Sequence, residues 1–163
     1  MIIGIVCVDS KWGIGKDNHL LFNIKEDMNF FKETTKGHIV AMGYNTLLSL
    51  PGSKPLKNRS NIVLAPEGVE IDGCFVEHDF NTLVDELKTV GEISDIYIMG
   101  GAMFYNSMLP YYDKVLVTKV DEDGEAQVFF PNLDENKSFT ITNESDIINT
   151  ESGHKIRFVT YER

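Results

Sequence analysis

The sequence predicts an α/β domain, and three observations indicate this class. Short apolar runs rich in Val and Ile alternate with segments of helical periodicity, which is typical of strands connected by helices. The first run, Ile2–Val8, is apolar at consecutive positions, as in a strand covered on both faces. No internal repeat or low-complexity tract interrupts the 163 residues. We therefore predict one domain over residues 1–163.

Apolar runs mark the predicted strands. They are Ile2–Val8, Ile39–Gly43, Asn61–Leu64, Phe75–Glu77, Asp95–Met99, Lys114–Val120 and Ile156–Tyr161. A weaker alternation at Ser138–Thr142 could pair with the last of these runs. The chain is therefore expected to close with a C-terminal antiparallel hairpin.

Two helices are predicted in the second half of the chain. Apolar residues recur at helical spacing from Phe80 to Leu87, with Asp79 as a plausible N-cap and Gly91 as a stop. A shorter helix is predicted at Ala102–Leu109, directly after a pair of glycines.

The first predicted helix spans approximately residues 24–35. Asn23 and Glu26 have the spacing of a capping box, so the helix is expected to begin there. Ile24, Met28 and Phe31 follow at i, i+4 and i+7 and form a stripe that is expected to face the core.

Asp27 projects from the apolar face of this helix. It follows Ile24 by three residues and precedes Phe31 by four, and no Lys or Arg shares that face. One interpretation is an Asp at the edge of the stripe, or one that stabilises the positive end of the helix. The other is a carboxylate held in an apolar cleft, where it binds a protonated, amidine-like edge of a ligand.

Composition excludes several classes of function. A formal charge of −10 argues against binding nucleic acid through its phosphates. No run approaches the roughly 20 apolar residues of a membrane span, and the apolar start lacks the features of a signal peptide. Cys7 and Cys74 are the only cysteines, which suggests a reducing compartment, and no Cys or His has metal-ligand spacing. No structural metal is expected.

Short motifs in a specific order cover nearly the whole chain. They are Trp12-Gly13-Ile14-Gly15-Lys16-Asp17-Asn18, Asn23-Ile24-Lys25-Glu26-Asp27 with Phe31-Lys32, Met42-Gly43-Tyr44-Asn45-Thr46, Arg59-Ser60-Asn61-Ile62-Val63-Leu64, Ile98-Met99-Gly100-Gly101-Ala102-Met103-Phe104-Tyr105, Lys114-Val115-Leu116-Val117-Thr118 and Phe130-Pro131. In this combination the sequence resembles the dihydrofolate reductase family.

The resemblance implies a fold and a reaction. The fold would be a central mixed, mostly parallel β-sheet flanked by about four helices, with a cleft for folate and a nicotinamide dinucleotide. The reaction would reduce 7,8-dihydrofolate to 5,6,7,8-tetrahydrofolate for one-carbon metabolism. A hydride would pass from C4 of NADPH to C6 of the pterin, with protonation at N5.

The resemblance also implies a substrate site. Asp27 would accept hydrogen bonds from N3 and the 2-amino group of the pterin, Thr118 would buttress it, and Arg59 would pair with the α-carboxylate of the substrate's glutamate. The implied catalytic residues are Asp27, Thr118, Leu20 and Tyr105. The implied substrate contacts are Ile5, Val6, Asp27, Met28, Phe31, Lys54, Arg59, Met99 and Thr118.

The cofactor site is implied in the same way. Backbone N–H groups at Gly100-Gly101-Ala102, where the family has a cis peptide, would hold pyrophosphate, and the Asp9–Leu21 loop would close over the nicotinamide. The implied contacts are Val6, Ile14, Gly15, Asn18, Leu20, Gly43, Tyr44, Asn45, Thr46, Leu64, Ala65, His78, Met99, Gly100, Gly101, Ala102, Met103, Phe104 and Tyr105.

The chain departs from the family pattern at several positions, some of which concern the cofactor site and the mobile loop. Tyr44 replaces an arginine that grips the 2′-phosphate, and Ala65-Pro66 replaces the polar pair that helps it. NADPH is therefore expected, NADH stays open, and His78 and Lys54 are candidate substitutes. In addition, Gln127 and Val128 stand where an acidic residue and a threonine commonly brace the mobile loop.

Two other functions remain open. One is a reductase of the same fold that acts on another pterin or a riboflavin precursor, and the other is a nucleotide-binding module without catalysis. The expected partners are dihydrofolate and, as inhibitors, diaminopyrimidine or pteridine antifolates, with no nucleic acid and no membrane. A cytoplasmic monomer is expected from size and family.

Overall fold

A nine-stranded mixed β-sheet forms the centre of the molecule in a computed structural model that describes all 163 residues. The strands of the chain are β1 (Ile2–Val8), β2 (Gly13–Lys16), β3 (His19–Leu20), β4 (Ile39–Gly43), β5 (Ser60–Leu64), β6 (Cys74–Glu77), β7 (Ile96–Ile98), β8 (Lys114–Val120), β9 (Val128–Phe129), β10 (Thr140–Glu144), β11 (Ile148–Asn149) and β12 (Lys155–Glu162). The helices are α1 (Lys25–Thr35), α2 (Tyr44–Ser49), α3 (Phe80–Gly91) and α4 (Ala102–Ser107).

The order of strands in the large sheet is β10-β12-β8-β1-β7-β4-β5-β6, with β11 paired to β12. Pairing is parallel from β8 to β6 and antiparallel where β12 meets β8, β10 and β11. The predicted α/β class, the mostly parallel sheet and the C-terminal antiparallel hairpin are therefore confirmed. A separate three-stranded sheet, β3-β2-β9, was not predicted, because its strands have only two to four residues.

Each face of the large sheet is covered by its own core. One core of 22 buried residues includes Val6, Leu83 and Phe104, and therefore joins β1 to α3 and α4. The other has eight buried residues, among them Ile5, with Phe31 of α1 packed against it. Ile5 and Val6 thus point to opposite faces of β1, which explains why this strand is apolar at consecutive positions.

The ends of the helices agree with the sequence only in part. Asp79 caps α3 by accepting a 2.9 Å hydrogen bond from the N–H of Thr82, and the helix ends at Gly91 as predicted. The predicted capping box at the start of α1 is wrong, because Ile24 occupies the N-cap and makes no side-chain cap. Glu26 instead accepts a 2.9 Å hydrogen bond from the backbone of Glu151, 125 residues away.

Two further predictions need correction. The helix predicted at Ala102–Leu109 ends at Ser107, and a 3₁₀ turn at Leu109–Tyr111 follows it. In the predicted core stripe of α1, Ile24 is only 2% exposed but Met28 is 48% exposed. α1 still packs on the core through Phe31, but no other element covers the side chain of Met28. No helix combines the length and the apolar character that crossing a bilayer requires.

Candidate active site

The predicted cofactor residues gather at the carboxyl ends of four neighbouring parallel strands. Gly43 ends β4, Leu64 ends β5, His78 follows β6 and Met99 follows β7. In open α/β sheets this edge is where ligands bind. The register therefore assembles at one edge residues that lie up to 56 positions apart in the sequence.

Asp27 lies in the first turn of α1 and faces the end of β8. Its Oδ1 accepts a 2.6 Å hydrogen bond from the hydroxyl of Thr118. Burial raises the pKa of Asp27 above its ordinary value, while hydrogen bonds from Thr118 and from the thiol of Cys7 lower it. No Lys or Arg contributes to this balance. The site therefore holds a partly buried carboxylate that accepts a hydrogen bond from Thr118, lies near the thiol of Cys7 and has no counter-ion.

Cys7 is a neighbour of Asp27 that the sequence analysis did not identify as part of the site. It is partly buried and free, and its pKa is raised by burial, by the charge of Asp27 and by a hydrogen bond to Asp27. The alternation of side chains along a strand is the signal that was available, because Cys7 is two residues after the predicted substrate contact Ile5.

Tyr105 forms the floor of the site beneath β1. Its hydroxyl donates a 2.7 Å hydrogen bond to the carbonyl of Ile5, and its own carbonyl accepts a 2.9 Å bond from the hydroxyl of Tyr112. The ring is buried against Phe130. Burial raises the pKa of Tyr105, with a smaller contribution from the charge of Asp27, so the phenol stays protonated at neutral pH.

Several implied ligand contacts have apolar side chains that are exposed to solvent. Leu20 on β3 is 84% exposed and Met103 on α4 is 82% exposed. Together with Met28 they belong to a set of eleven large apolar side chains that the fold leaves exposed. All three are implied ligand contacts, and their exposure leaves them free to contact a ligand.

Arg59 is held by three hydrogen bonds and is not a free surface charge. Its Nε donates to Oγ1 of Thr35 at 2.8 Å, its Nη1 to the carbonyl of Lys57 at 2.7 Å and its Nη2 to the carbonyl of Lys32 at 3.3 Å. The guanidinium also lies 5.9 Å from the centre of the Phe31 ring. Two of its five N–H groups remain for a ligand, in a fixed orientation at the end of α1.

Three glycines bring the ends of β4 and β7 into close contact. The N–H of Gly43 donates a 2.8 Å hydrogen bond to the carbonyl of Gly100, and the Gly100-Gly101 peptide is cis, as expected. A Cβ on Gly101 would lie 3.4 Å from the hydroxyl oxygen of Thr46. This bare backbone, beside the hydroxyl of Thr46 and the free first N–H groups of α4, fits the pyrophosphate of a dinucleotide.

Some implied cofactor contacts have side chains that point elsewhere. Phe104 is buried in the core, with its ring 6.4 Å from that of Phe80, so only its backbone remains available. Asn45 and Lys54 are exposed. Asn18 adopts a positive φ of 62° in the turn between β2 and β3. For these three residues the ligand contacts stay predictions, and Lys54 is implied at the substrate as well as at the cofactor.

His78 is the cationic candidate at the end of β6. Its Nδ1 lies 3.2 Å from the carbonyl of Ala65 and 2.9 Å from that of Pro66, so this nitrogen carries a proton. Its Nε2 lies 3.5 Å from a carboxylate oxygen of Glu70. The hydrogen bond to Ala65 is the main reason why the pKa of His78 is raised. Tyr44 begins α2 after β4, two strands away from β6, and its phenol adds no positive charge.

The loop after β1 is tied to the segment before β9. Asp9 is buried, and its carboxylate accepts hydrogen bonds from the N–H groups of Lys11, Gly13 and Gly124 at 2.7–2.9 Å. The side chain of Gln127 accepts a 2.9 Å bond from the N–H of Asp17. The family resemblance indicated Gln127 as a position that braces this loop, but the sequence did not indicate Asp9, whose bond from Gly124 joins residues 115 positions apart.

The chain is similar to known proteins of one family. A family model described as dihydrofolate reductase matches residues 1–163. The dihydrofolate reductase of Bacillus subtilis (strain 168) is 33% identical over 169 residues, which cover 100% of this chain and 95% of that protein. That of Staphylococcus haemolyticus is 32% identical over 162 residues, with 98% and 93% covered.

A solved structure has the same architecture. It is a dihydrofolate reductase from Enterococcus faecalis complexed with NADP(H) and RAB-propyl, with a TM-score of 0.86 and 25% identity. The match covers 100% of this chain and 96% of that one.

Proposed function

The chain belongs to the dihydrofolate reductase family, and we propose that Asp27 is the group through which it binds and polarises the pterin. The protein is an NADPH-dependent oxidoreductase that reduces 7,8-dihydrofolate to 5,6,7,8-tetrahydrofolate. Its product enters one-carbon metabolism.

The role proposed for Asp27 rests on one observation: its carboxylate is partly buried and has no counter-ion. One oxygen already accepts a bond from Thr118, and nothing cationic neutralises the charge. A pterin presents N3–H and a 2-amino N–H side by side, and this pair suits the two oxygens of a carboxylate. Asp27 therefore orients the ring and favours its protonated form.

NADPH, when bound, supplies a hydride from its nicotinamide C4 to C6 of the pterin. The protein's part is to align the two rings and to keep water from them. The exposed side chains of Leu20 and Met28 would cover the bound rings, while Tyr105 fixes the backbone of Ile5 beneath them. The proton at N5 comes from water, and the charge of Asp27 stabilises the cation that forms.

Separate residues are assigned to the glutamate tail of the substrate and to the phosphates of the cofactor. Arg59 has two N–H groups left for the α-carboxylate of the substrate's glutamate tail. Gly43, Gly100 and Gly101 leave room for the cofactor's pyrophosphate, with Thr46 donating its hydroxyl. His78 is assigned to the 2′ end of the cofactor.

Diaminopyrimidine and pteridine antifolates should compete with dihydrofolate, because they present a similar pair of N–H groups to Asp27. We further propose that the protein acts as a monomer in the cytoplasm, with no nucleic-acid or membrane partner.

The test follows NADPH oxidation by purified protein with dihydrofolate and then repeats it with NADH. Asp27→Asn keeps the shape and removes the charge, so turnover near neutral pH should fall at least about tenfold. Glu33→Gln, an exposed position on the same helix, is the matched control and should turn over as the parent does. Unchanged turnover in Asp27→Asn would reject the role of Asp27.

The same assay separates the alternatives. A reductase of a riboflavin precursor would turn over that compound and not dihydrofolate. A nucleotide-binding module would bind NADPH without oxidising it.

A further inference from the structure

The thiol of Cys7 lies beside the proposed pterin-binding carboxylate. We propose that Cys7 is a positioning residue for Asp27: its S–H donates a second hydrogen bond to the carboxylate, next to that of Thr118, and so favours the ionised form. This inference rests on the role proposed above for Asp27.

Strand register places Cys7 next to Thr118. The two residues are Cα partners in the parallel pairing of β1 with β8. Partners in neighbouring parallel strands have side chains on the same face, about 4.8 Å apart. Because the hydroxyl of Thr118 lies 2.6 Å from Oδ1 of Asp27, the thiol faces the same helix. Both donors therefore approach Asp27 from the sheet.

Packing fixes the side of β1 on which the thiol lies. Cys7 packs against a small buried cluster formed by Ile24, Val120 and Ile156, with Phe22 at its edge. Ile24 is the N-cap of α1, one turn before Asp27. The thiol therefore lies under the first turn of α1, which carries the carboxylate.

Cys7 can act only as a donor towards Asp27. Burial is the main cause that raises the pKa of the thiol, and the charge of Asp27 and the hydrogen bond to it act in the same direction. The thiol is therefore protonated at neutral pH, where Asp27 accepts hydrogen bonds. At neutral pH Cys7 is therefore the donor of the pair and Asp27 is the acceptor.

Few other charged or titratable groups act on this pair. Asp9, in the loop after β1, raises the pKa of Cys7, and the phenol of Tyr105 on α4 lies within the electrostatic reach of both groups. Glu26, next to Asp27 on α1, is directed to the backbone of Glu151. No cation takes part, so the ionised form of Asp27 depends on the donors Thr118 and Cys7.

The test is an NMR titration of carboxyl-labelled aspartates in the full-length protein, with the Asp27 signal assigned by its loss in Asp27→Asn. Cys7→Ala removes the donor, so the midpoint of the Asp27 titration should move to higher pH by about half a pH unit. Cys7→Ser supplies a stronger donor, so its midpoint should stay at or below that of the parent. Cys74→Ala, the matched control on β6, should leave it unchanged.

Two results would overturn the proposal. One is an unmoved midpoint in Cys7→Ala, and the other is a Cys7→Ser variant whose midpoint rises as in Cys7→Ala. The second would show that the substitution acts by changing the packing.

A reciprocal measurement needs no substitution of the cysteine. If Asp27 raises the pKa of Cys7, then Asp27→Asn should speed alkylation of Cys7 at mildly alkaline pH by severalfold, with Cys74 in the same sample as the reference. An equal rate in the two proteins would count against the hydrogen bond even if Cys7→Ala failed to fold.

The pH profile of hydride transfer separates this inference from the proposed function. If the NMR midpoint moves in Cys7→Ala, the profile should move in the same direction. A moved midpoint with an unmoved profile would uphold the contact and reject the role of Asp27.

Discussion

The hydroxyl of Thr118 and Oδ1 of Asp27 lie 2.6 Å apart, although 91 positions separate the two residues in the sequence. The bond connects β8 to the first turn of α1 and holds the carboxylate in place before any ligand arrives. Burial of the Asp27 carboxylate removes part of its hydration and so disfavours its charged form. The hydrogen bond from Thr118 offsets part of this cost.

Replacing Thr118 by Val should therefore weaken substrate binding. A hydrogen bond to a charged group contributes about 1.5–3 kcal/mol, so the dissociation constant for dihydrofolate near neutral pH should rise about tenfold or more. Thr118→Ser keeps the hydroxyl and should bind close to the parent. Fluorescence quenching on titration with dihydrofolate measures both affinities, and equal affinity in the Val variant would assign Thr118 to packing alone.

Asp27→Asn should make the folded protein more stable at neutral pH. Burial raises the pKa of Asp27, so the folded state binds the proton more tightly than the unfolded chain does. The ionised carboxylate therefore costs stability, and this cost appears as pH rises above about 4 and is complete above the folded-state pKa. Functional groups commonly carry such a cost.

Thermal unfolding at several pH values measures this effect. The melting temperature of Asp27→Asn should exceed that of the parent by about 2–4 °C at neutral pH, and the gap should close as the pH is lowered towards 4. A gap of the same size at every pH would mean that the substitution acts through packing.

Much of the fold could be predicted because its signals are local. Asp79 followed by apolar residues at helical spacing marks the start of α3, and the run Ile2–Val8 marks a strand covered on both faces. Asp27 could also be singled out, because its spacing from Ile24 places a carboxylate on an apolar face. The family resemblance added the order of the motifs and the partner Thr118.

Contacts between distant segments could not be predicted from such signals. Glu26 has the spacing of a capping box, but its carboxylate accepts a hydrogen bond from the backbone N–H of Glu151 instead of capping α1. Asp9 interrupts an apolar run, and only the folded loop shows that three backbone N–H groups surround it. The neighbourhood of Cys7 depends on the register of β1 against β8, which no single segment encodes.

Arg59→Ala should weaken the binding of dihydrofolate far more than the binding of a pterin that lacks the glutamate tail. Its guanidinium is held by Thr35 and by two backbone carbonyls, so it is already oriented for a carboxylate. Loss of that pair should raise KM for dihydrofolate at least about tenfold, and Arg59→Lys should recover only part of it. Lys57→Ala is the control, because Lys57 contributes only its backbone carbonyl. Equal losses for both pterins would make Arg59 a structural residue.

His78 should make the affinity for NADPH depend on pH while that for NADH does not. The carbonyl of Ala65 is the main cause that raises the pKa of His78, so the protonated ring persists to higher pH than usual and can attract a 2′-phosphate. As pH rises through that pKa the attraction is lost, and Glu70 at 3.5 Å then remains as a repelling charge. From a pH below the raised pKa of His78 to a pH above it, the dissociation constant for NADPH should rise about fivefold.

Direct binding, followed by the fluorescence of the reduced nicotinamide, measures the two cofactors without turnover. His78→Gln should flatten the NADPH curve, and His38→Gln, an exposed histidine in contact with Tyr97, should leave it as in the parent. Since Tyr44 and Ala65 supply no charge, a steep NADPH curve that survives His78→Gln would place the group that recognises the 2′-phosphate elsewhere on the protein.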